Sequence, residues 1–271
     1  MHTDIINIGI FGANGRVGRE IINLLKIKKD QNIKLSALFA RDLSKITDLT
    51  PLDPPPDPPI DPIERPFCTN NLQDFLNHCN LVIDFSLPDG SYELIKALLK
   101  SPKPLVCGVT GLKDMHLLED LAKLSPVFFD KNMSLGIGVL SKIASLVSKY
   151  LRDFDIEILE MHHRQKLDAP SGTALKLANA ITSQRSDLEI KAQNQDILNQ
   201  KRAKNTLNIV SQRGGDIFGR HTVGFYGDGE YLELTHNATS RALFAKGALD
   251  AAKFVFAKAP GMYGVSDMLD A

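Results

Sequence analysis

IINIGIFGANGRVGREIINLL, residues 5–25, joins an apolar run to a helical pattern through a loop with three glycines. The run 5–11 is typical of a buried strand, and the apolar residues after Gly12 recur at helical spacing. A glycine loop at such a junction lets a pyrophosphate approach the backbone, where amides at the helix N-terminus meet its charge. The stretch therefore predicts a dinucleotide-binding domain, although the same glycines would also suit a turn that serves only close packing.

The expected cofactor contacts begin in this loop and continue at the end of the next predicted strand, 33–39. There Ala40 offers no hydrogen bond to a ribose hydroxyl, whereas Arg41 and Arg16 could each pair with a 2′-phosphate. We therefore expect NADPH as the preferred cofactor, with NADH still usable. Asp42 could hold the ribose of NADH if the strand end is displaced by one or two residues. The candidates are Gly12, Ala13, Asn14, Gly15, Arg16, Val17 and Arg41.

Further strand candidates at 81–86, 104–109 and 126–130 alternate with helix candidates at 89–100 and 114–124. This alternation predicts an α/β domain with a doubly wound, Rossmann-type parallel sheet covered on both faces. Two strand ends would face its cofactor crevice, because ligands bind at the carboxyl ends of parallel strands. The same residues fit loops without a ligand equally well. They are Gly108, Val109, Thr110, Asp130, Lys131, Asn132 and Met133.

TPLDPPPDPPIDPIERPF, residues 50–67, interrupts the alternation with eight prolines. Proline removes a backbone donor and is incompatible with a helix interior, so we predict an extended surface loop. The loop could bind a proline-recognising partner. A tolerated loop insertion is the simpler interpretation.

The pattern changes from about residue 133. The elements predicted there are helices at 134–151, 171–183 and 240–259 and strands at 154–163, 206–213, 217–227 and 230–237. The last three strands follow one another without helices, which indicates antiparallel pairing, and a glycine-rich junction predicts a hairpin between the final two. Residues 184–205 are polar and weakly patterned. We therefore predict a second domain of the α+β type.

EMHHRQKLDAPSGTA, residues 160–174, concentrates titratable and cationic groups before a helix start. Ser171, Gly172 and Thr173 can cap that helix and offer amides to a carboxylate, whose charge the helix dipole favours. Lys166 adds a positive charge, and histidines titrate near neutral pH. If the strand persists, His162 and His163 point to opposite faces and Lys166 lies on the side of His162. The stretch predicts a pocket that binds an acidic substrate and moves a proton.

Each of these side chains also has a purely structural interpretation. A histidine on a strand is more often a satisfied structural group than a catalyst, and Lys166 could lie on an ordinary surface. A metal site would use the histidines with Glu157 and Glu160, but adjacent histidines on a strand diverge and no complete metal-binding motif is present. We therefore predict no metal.

The segment 160–174 resembles the signature of the dihydrodipicolinate reductase family of lysine and diaminopimelate biosynthesis. The likeness extends over nearly the whole chain. It includes GANGRVG (12–18), VIDFSLPDG (82–90), CGVTGL (107–112), NMSLGIGVL (132–140), RGGDIFGRHTVGF (213–225), LELTHNATSRALFAKGA (232–248) and MYGVSDML (262–269). The departures are the proline-rich segment and Ala40, where members that prefer NAD tend to carry an acid.

The resemblance implies a reductase that uses NADPH or NADH to reduce a cyclic, unsaturated dicarboxylate to tetrahydrodipicolinate with release of water. It implies His162 as general acid/base and Lys166 as second proton donor, with His163, Lys166, Ser171, Gly172 and Thr173 binding substrate carboxylates. Arg241 could also approach the substrate. It further implies a homotetramer, a cofactor domain of residues 1–132 and 243–271, and a substrate-binding and oligomerisation domain of residues 133–242 with an open mixed sheet.

Composition limits the function classes. Lys+Arg and Asp+Glu both total 32, so no global charge favours nucleic acid or a membrane surface. Three cysteines at unrelated spacings and an N-terminus without a signal-peptide pattern lead us to expect a cytoplasmic protein. The alternative enzyme is another two-domain dehydrogenase, of the aspartate-semialdehyde or homoserine type. The former would need a catalytic cysteine in the second domain, yet Cys107 is the last cysteine. A cofactor-sensing regulator remains the non-enzyme alternative; it would not need His162 and Lys166.

Overall fold

The computed structural model describes residues 5–27, 31–46, 65–192 and 201–271. The chain divides into two compact units, one of Met1–Met133 with Arg241–Ala271 and the other of Ser134–Ser240. Most of the predicted proline-rich loop falls on 50–64, outside the described residues. None of the helices in the described ranges is both long and apolar enough to span a bilayer. The cofactor and substrate roles assigned to the two parts of the chain stay predictions.

The first unit alternates strands and helices up to residue 129. Its elements there are β1 (Ile6–Phe11), α1 (Arg16–Ile27), β2 (Ile33–Phe39), a 3₁₀ turn (Leu43–Ile46), β3 (Phe67–Thr69), α2 (Leu72–Asn77), β4 (Leu81–Asp84), α3 (Pro88–Lys100), β5 (Leu105–Cys107), α4 (His116–Ala122) and β6 (Pro126–Phe129). The sequence pattern missed β3 and α2, because both are too short to show a period.

The second unit begins with a long helix, and the chain then returns to the first unit. The elements are α5 (Leu135–Tyr150), β7 (Asp155–His162), α6 (Gly172–Thr182), β8 (Glu189–Ala192), β9 (Thr206–Arg213), β10 (Gly219–Gly227), β11 (Glu230–Ala238), α7 (Ala242–Phe256), β12 (Gly261–Tyr263) and α8 (Val265–Leu269). Strand β8 lies in the segment that showed no clear pattern.

The first unit contains a seven-stranded parallel sheet in the order β12-β6-β5-β4-β1-β2-β3. Its strands are apolar on both faces because helices cover both sides; Ile8, Ile10 and Ile83 are fully buried. The predicted doubly wound fold is confirmed. The strand order reverses between β1 and β4, and the crevice at such a reversal is where open α/β sheets bind ligands.

The second unit contains a five-stranded sheet in the order β11-β10-β7-β9-β8. The predicted hairpin joins β10 to β11, with Gly229 at φ +84° in its two-residue turn. Strand β9 does not pair with β10; it pairs in parallel with β7, which lies between them. The sheet is therefore mixed, because β7 and β9 are joined through α6 rather than through a tight turn.

Candidate active site

The glycine loop of the first unit leaves a concave stretch of backbone that side chains would fill. Gly12 has φ +87°, and a Cβ there would lie 2.9 Å from the amide nitrogen of Ser86. A Cβ on Gly18 would lie 2.5 Å from the carbonyl oxygen of Gly12, so α1 approaches the loop too closely for any side chain. Helix α1 begins at Arg16, directly after the loop. These contacts fit a pyrophosphate-binding loop, so the residues present suit a dinucleotide.

The end of β2 lies beside this loop. The Asn14 amide donates a 2.9 Å hydrogen bond to the Asp42 carbonyl oxygen, which ties the two segments together. The Asp42 carboxylate accepts from the Ser44 amide and hydroxyl at 3.1 and 2.6 Å, and Lys45 lies 3.3 Å from it. Hydrogen bonds from Ser44 and Lys45 lower the pKa of Asp42. The Asp42 carboxylate is therefore bound by residues of its own turn.

Arg16 and Arg41 are exposed, and neither forms an ion pair within the described ranges of the chain. A cavity of about 130 Å³ next to the loop is lined by Ala13, Asn14, Arg19, Ile22, Asn23, Lys45 and Ile46. Lys45 was not among the sequence candidates. A larger cavity, of about 530 Å³, lies by Asn7, Lys34 and Asn80 at the amino ends of the strands, away from the loop.

Two further strand ends reach the same carboxyl edge of the sheet. Gly108 donates its amide to the Asp84 carbonyl oxygen at 2.9 Å, and Val109 beside it is buried. The Asp130 carboxylate accepts from the amides of Asn132 at 3.0 Å and Val265 at 3.5 Å. Thr110 and Lys131 are exposed, whereas Met133 is buried. Asp130 therefore holds its own loop and the start of α8, while its neighbours line the edge.

Strand β7 places the key histidine in the second unit through its period of two. Ile156 and Ile158 face the helices α5 and α6 and belong to the core, and Glu160 and His162 continue the same face. Glu160 is fully buried and His162 is 9% exposed. The buried face thus changes from apolar to ionisable over its last two positions.

Glu160 is the centre of a hydrogen-bond network that the sequence pattern did not reveal. Its carboxylate contacts Nδ1 of His162 and accepts from Nη2 of Arg213 at 2.8 Å and Nη1 at 3.0 Å. It also accepts from the Ser171 amide at 3.2 Å. Burial opposes the negative charge, but the hydrogen bonds from His162 and Arg213 prevail and lower the pKa of Glu160 to about 2.

His221, on β10, is a second residue that the pattern missed. Its ring lies 5.2 Å from the His162 ring, and its Nε2 is 3.3 Å from the Ser171 hydroxyl. Burial, followed by the neighbouring His162, lowers the pKa of His221 to about 3, so this ring stays neutral at physiological pH. His221 and Arg213 both lie in segment 213–225, which carried the resemblance without a role for either residue.

The strand ends at His162, earlier than predicted, and a turn follows in which the Lys166 amide donates to the His163 carbonyl oxygen at 3.1 Å. The strand alternation expected for Lys166 therefore does not apply. Its ammonium group contacts both carboxylate oxygens of Asp168, at 2.7 and 2.9 Å. Burial opposes the negative charge of Asp168, but the hydrogen bond and the positive charge of Lys166 outweigh this effect and lower the pKa of Asp168. Arg241 is the N-cap residue of α7 in the first unit, and its approach to the substrate stays a prediction.

Helix α6 begins as predicted. Ser171 is its N-cap residue, and its hydroxyl accepts from the Ala174 amide at 3.1 Å. Gly172 and Thr173 form the first turn, and among the described residues no atom beyond the chain neighbours and the backbone of α6 itself lies within 4 Å of a Cβ built on Gly172. The helix start is therefore open on one side, and its dipole favours an anion there.

Glu160, His162 and His221 also have ligand-type atoms within 4.8 Å of one another. Arg213 donates to both oxygens of the Glu160 carboxylate, so a metal cation bound there would be repelled by the guanidinium that already contacts it. The geometry suits a hydrogen-bond network better than a metal centre. The absence of a metal stays a prediction.

Comparison with known proteins finds two family models that match the chain one after the other. A family model described as dihydrodipicolinate reductase, N-terminus, matches residues 6–133, and one described as dihydrodipicolinate reductase, C-terminus, matches 136–269. The chain belongs to the dihydrodipicolinate reductase family. It is therefore an NAD(P)H-dependent oxidoreductase, and the family, the enzyme class and the reductase function expected from the resemblance are confirmed.

Relatives of this reductase match it over nearly their full length. The 4-hydroxy-tetrahydrodipicolinate reductase of Sulfurimonas denitrificans is 43% identical, with 98% of this chain and all of the relative covered. That of Wolinella succinogenes is 45% identical, with 97% and 98% covered. The dipicolinate-bound dihydrodipicolinate reductase of Paenisporosarcina sp. TG-14 superimposes with a TM-score of 0.74 at 26% identity, covering 97% of this chain and 99% of that one.

Proposed function

We propose that the second unit binds the cyclic dicarboxylate substrate of a 4-hydroxy-tetrahydrodipicolinate reductase and supplies the proton that accompanies hydride transfer. One observation carries this proposal. The carboxylate of Glu160 contacts Nδ1 of His162 and the amide of Ser171, so a proton-carrying ring and an anion-binding helix start belong to one rigid network.

The substrate carboxylates would lie at the start of α6, against Ser171, Gly172 and Thr173. The open space at Gly172 and the helix dipole both favour an anion there. Lys166 would leave Asp168 for the substrate, and His163 would add a contact from the adjoining turn. A relative whose structure contains dipicolinate supports a dicarboxylate as ligand.

The reduced nicotinamide supplies the hydride. Its arrival at the conjugated imine leaves an electron pair on the substrate ring, which a positioned acid must protonate. His162 would donate that proton from Nε2, because Nδ1 is held by Glu160. Lys166, whose side chain is 22% exposed, would be the second donor and would balance the developing negative charge.

The experiment measures oxidation of NADPH with freshly generated dihydrodipicolinate precursor. His162→Ala and Lys166→Ala should each lower kcat roughly 10²–10⁴-fold, the usual contribution of a positioned acid. Cofactor affinity should not change. Lys191→Ala is the matched control, because Lys191 is a half-exposed lysine of the same unit that forms an ion pair with Glu189. Near-normal turnover of either site variant would refute its role.

Cofactor binding is proposed for the loop residues 12–17, for Arg41 and for the strand ends 108–110 and 130–133. We also propose that NADPH is preferred. Ser44 and Lys45 hold the Asp42 carboxylate within its own turn, whereas Arg16 and Arg41 are exposed beside the loop and could each pair with a 2′-phosphate. One charge-assisted bond of about 1.5 kcal/mol corresponds to roughly tenfold in affinity.

The test of this preference is a titration of wild type and Arg41→Ala with both cofactors. NADPH should bind wild type about tenfold more tightly than NADH, and Arg41→Ala should reduce that ratio by weakening NADPH alone. A wild-type preference for NADH would contradict the proposal.

We further propose a cytoplasmic homotetramer that pairs through the five-stranded sheet. Tyr231 is 69% exposed and Leu232 40% exposed on strand β11, the edge of that sheet. The three cysteines are free thiols, which suits a reducing compartment. Light scattering of the purified chain should give four times the chain mass of 29.9 kDa; a monomer would contradict the assembly.

A further inference from the structure

The network around His162 separates the two nitrogens of its ring. Nδ1 contacts Glu160, whose ionised carboxylate can only accept a hydrogen bond. Nε2 lies beside Gly219, where a Cβ would be 3.2 Å from it, so the lack of a side chain leaves room next to this nitrogen. The proton on Nδ1 is thus held by the protein, and Nε2 is the nitrogen that can exchange one with a ligand.

The orientation of Glu160 is itself fixed. Arg213 donates one N–H to each carboxylate oxygen, and the Ser171 amide donates to Oε1. Arg213 is anchored in turn by the carbonyl oxygens of Gln212 at 2.7 Å and Asp168 at 2.6 Å. Because Arg213 pairs with His162 in the register of β9 and β7, the guanidinium and the imidazole are placed by the same two strands.

We propose that Glu160 is a positioning residue for the reaction: held as an anion by Arg213, it fixes His162 with the proton on Nδ1 so that Nε2 delivers a proton to the substrate. This inference rests on the proposed role of His162. When Nε2 of the imidazolium gives up its proton, the neutral ring that remains keeps Nδ1–H on Glu160, which is the tautomer that the network selects.

Glu160→Gln tests the proposal because the network dictates how glutamine would bind. The side-chain oxygen must take the Oε1 position, where it accepts from Ser171 and Arg213. The amide NH₂ then faces Nδ1 of His162, which has to accept, and the proton moves to Nε2. The neutral ring is then in the wrong tautomer, an effect that lowers kcat by about 10⁴-fold in a serine protease. We expect a fall in kcat of roughly 10²–10⁴-fold with the KM of both substrates changed only a few-fold.

Long-range ¹H–¹⁵N NMR of histidine-labelled protein reports the tautomer directly. The chain has seven histidines, and His162→Gln assigns the relevant signal. When the His162 ring is neutral, wild type should show Nδ1–H and Glu160→Gln should show Nε2–H. A wild-type Nε2–H tautomer would overturn the proposal even if the variant failed to fold.

Glu157→Gln is the matched control. Glu157 lies on the same strand and accepts from Arg202 at 2.9 Å and Asn208 at 2.7 Å, so the same substitution removes a carboxylate beside an arginine. It should leave the kcat and the His162 tautomer unchanged. If both variants lowered kcat alike without a change of tautomer, Glu160 would have only a structural role. If His162→Ala kept its turnover, the proposed proton donor would be wrong, while the wild-type tautomer would still test the positioning of the ring.

Discussion

Gly18→Ala would test whether close packing at the glycine loop supports cofactor binding. Gly18 lies in the first turn of α1, and a Cβ there would stand 2.5 Å from the Gly12 carbonyl oxygen and 3.1 Å from Cα of Ala13. Both neighbours are backbone atoms, so no side chain can rotate away. The methyl group would be about 0.9 Å inside the 3.4 Å at which ordinary contact begins.

The expected magnitude follows from two opposing terms. Overpacking destabilises a well-packed site by about 1–3 kcal/mol, while alanine in place of glycine favours a helix by about 1 kcal/mol. The variant should therefore lose up to about 2 kcal/mol of unfolding free energy. Its loop or helix must also shift by nearly 1 Å, and a misplacement of that size can reduce binding or catalysis by roughly 10²-fold. We expect NADPH affinity to fall 10- to 100-fold, by about 1.4–2.8 kcal/mol.

The assay combines urea unfolding with fluorescence titration of NADPH. Gly90→Ala is the control, because this glycine lies in α3 and its Cβ would stand 3.4 Å from Phe11, an ordinary contact. That variant should be as stable as wild type or more so and should bind NADPH normally. If Gly18→Ala also bound NADPH normally and unfolded at the wild-type urea concentration, the reasoning from backbone contact would be refuted.

Two further predictions concern buried titratable groups. The pKa of His221 is about 3 in the folded protein against 6.5 for the free side chain, so the free energy of unfolding falls as the pH drops below 6.5. Urea unfolding at pH 7 and pH 5 should show a loss of about 2 kcal/mol in wild type, and His221→Gln should remove this loss. An equal pH dependence in the variant would contradict the prediction. Burial also lowers the pKa of His236, which makes the free energy of unfolding fall with pH in wild type and in His221→Gln alike. Burial raises the pKa of Asp84, so the folded protein favours the protonated carboxyl and loses stability as the pH rises. Asp84→Asn should therefore have a higher free energy of unfolding than wild type at pH 8, and this difference should vanish towards pH 3. A variant less stable than wild type at pH 8 would count against the prediction.

The sequence by itself determined most of the first unit and half of the candidate site. Apolar runs separated by helical spacing predict buried parallel strands because each short segment carries its own period. The glycines at 12, 15 and 18 predict the loop, and a Cβ on Gly12 or Gly18 would indeed lie less than 3.0 Å from backbone atoms. In the second unit, the period of two along β7 puts His162 on one face, and the small residues at 171–173 start α6; both are local properties of 160–174.

Only the tertiary structure shows which residues from outside 160–174 complete the candidate site. Arg213 bonds to Glu160 across 53 residues, and His221 approaches Ser171 across 50, so neither partner leaves a mark in the local pattern. Their positions depend on the order β10-β7-β9, in which β7 separates two strands that are neighbours in sequence. Strand pairing is set by the burial of whole sheet faces, a non-local free energy, whereas a periodic pattern reports only which face of each segment is apolar. The local pattern therefore predicts the face of β7 on which Glu160 and His162 lie, and strand pairing supplies Arg213, which orients the Glu160 carboxylate.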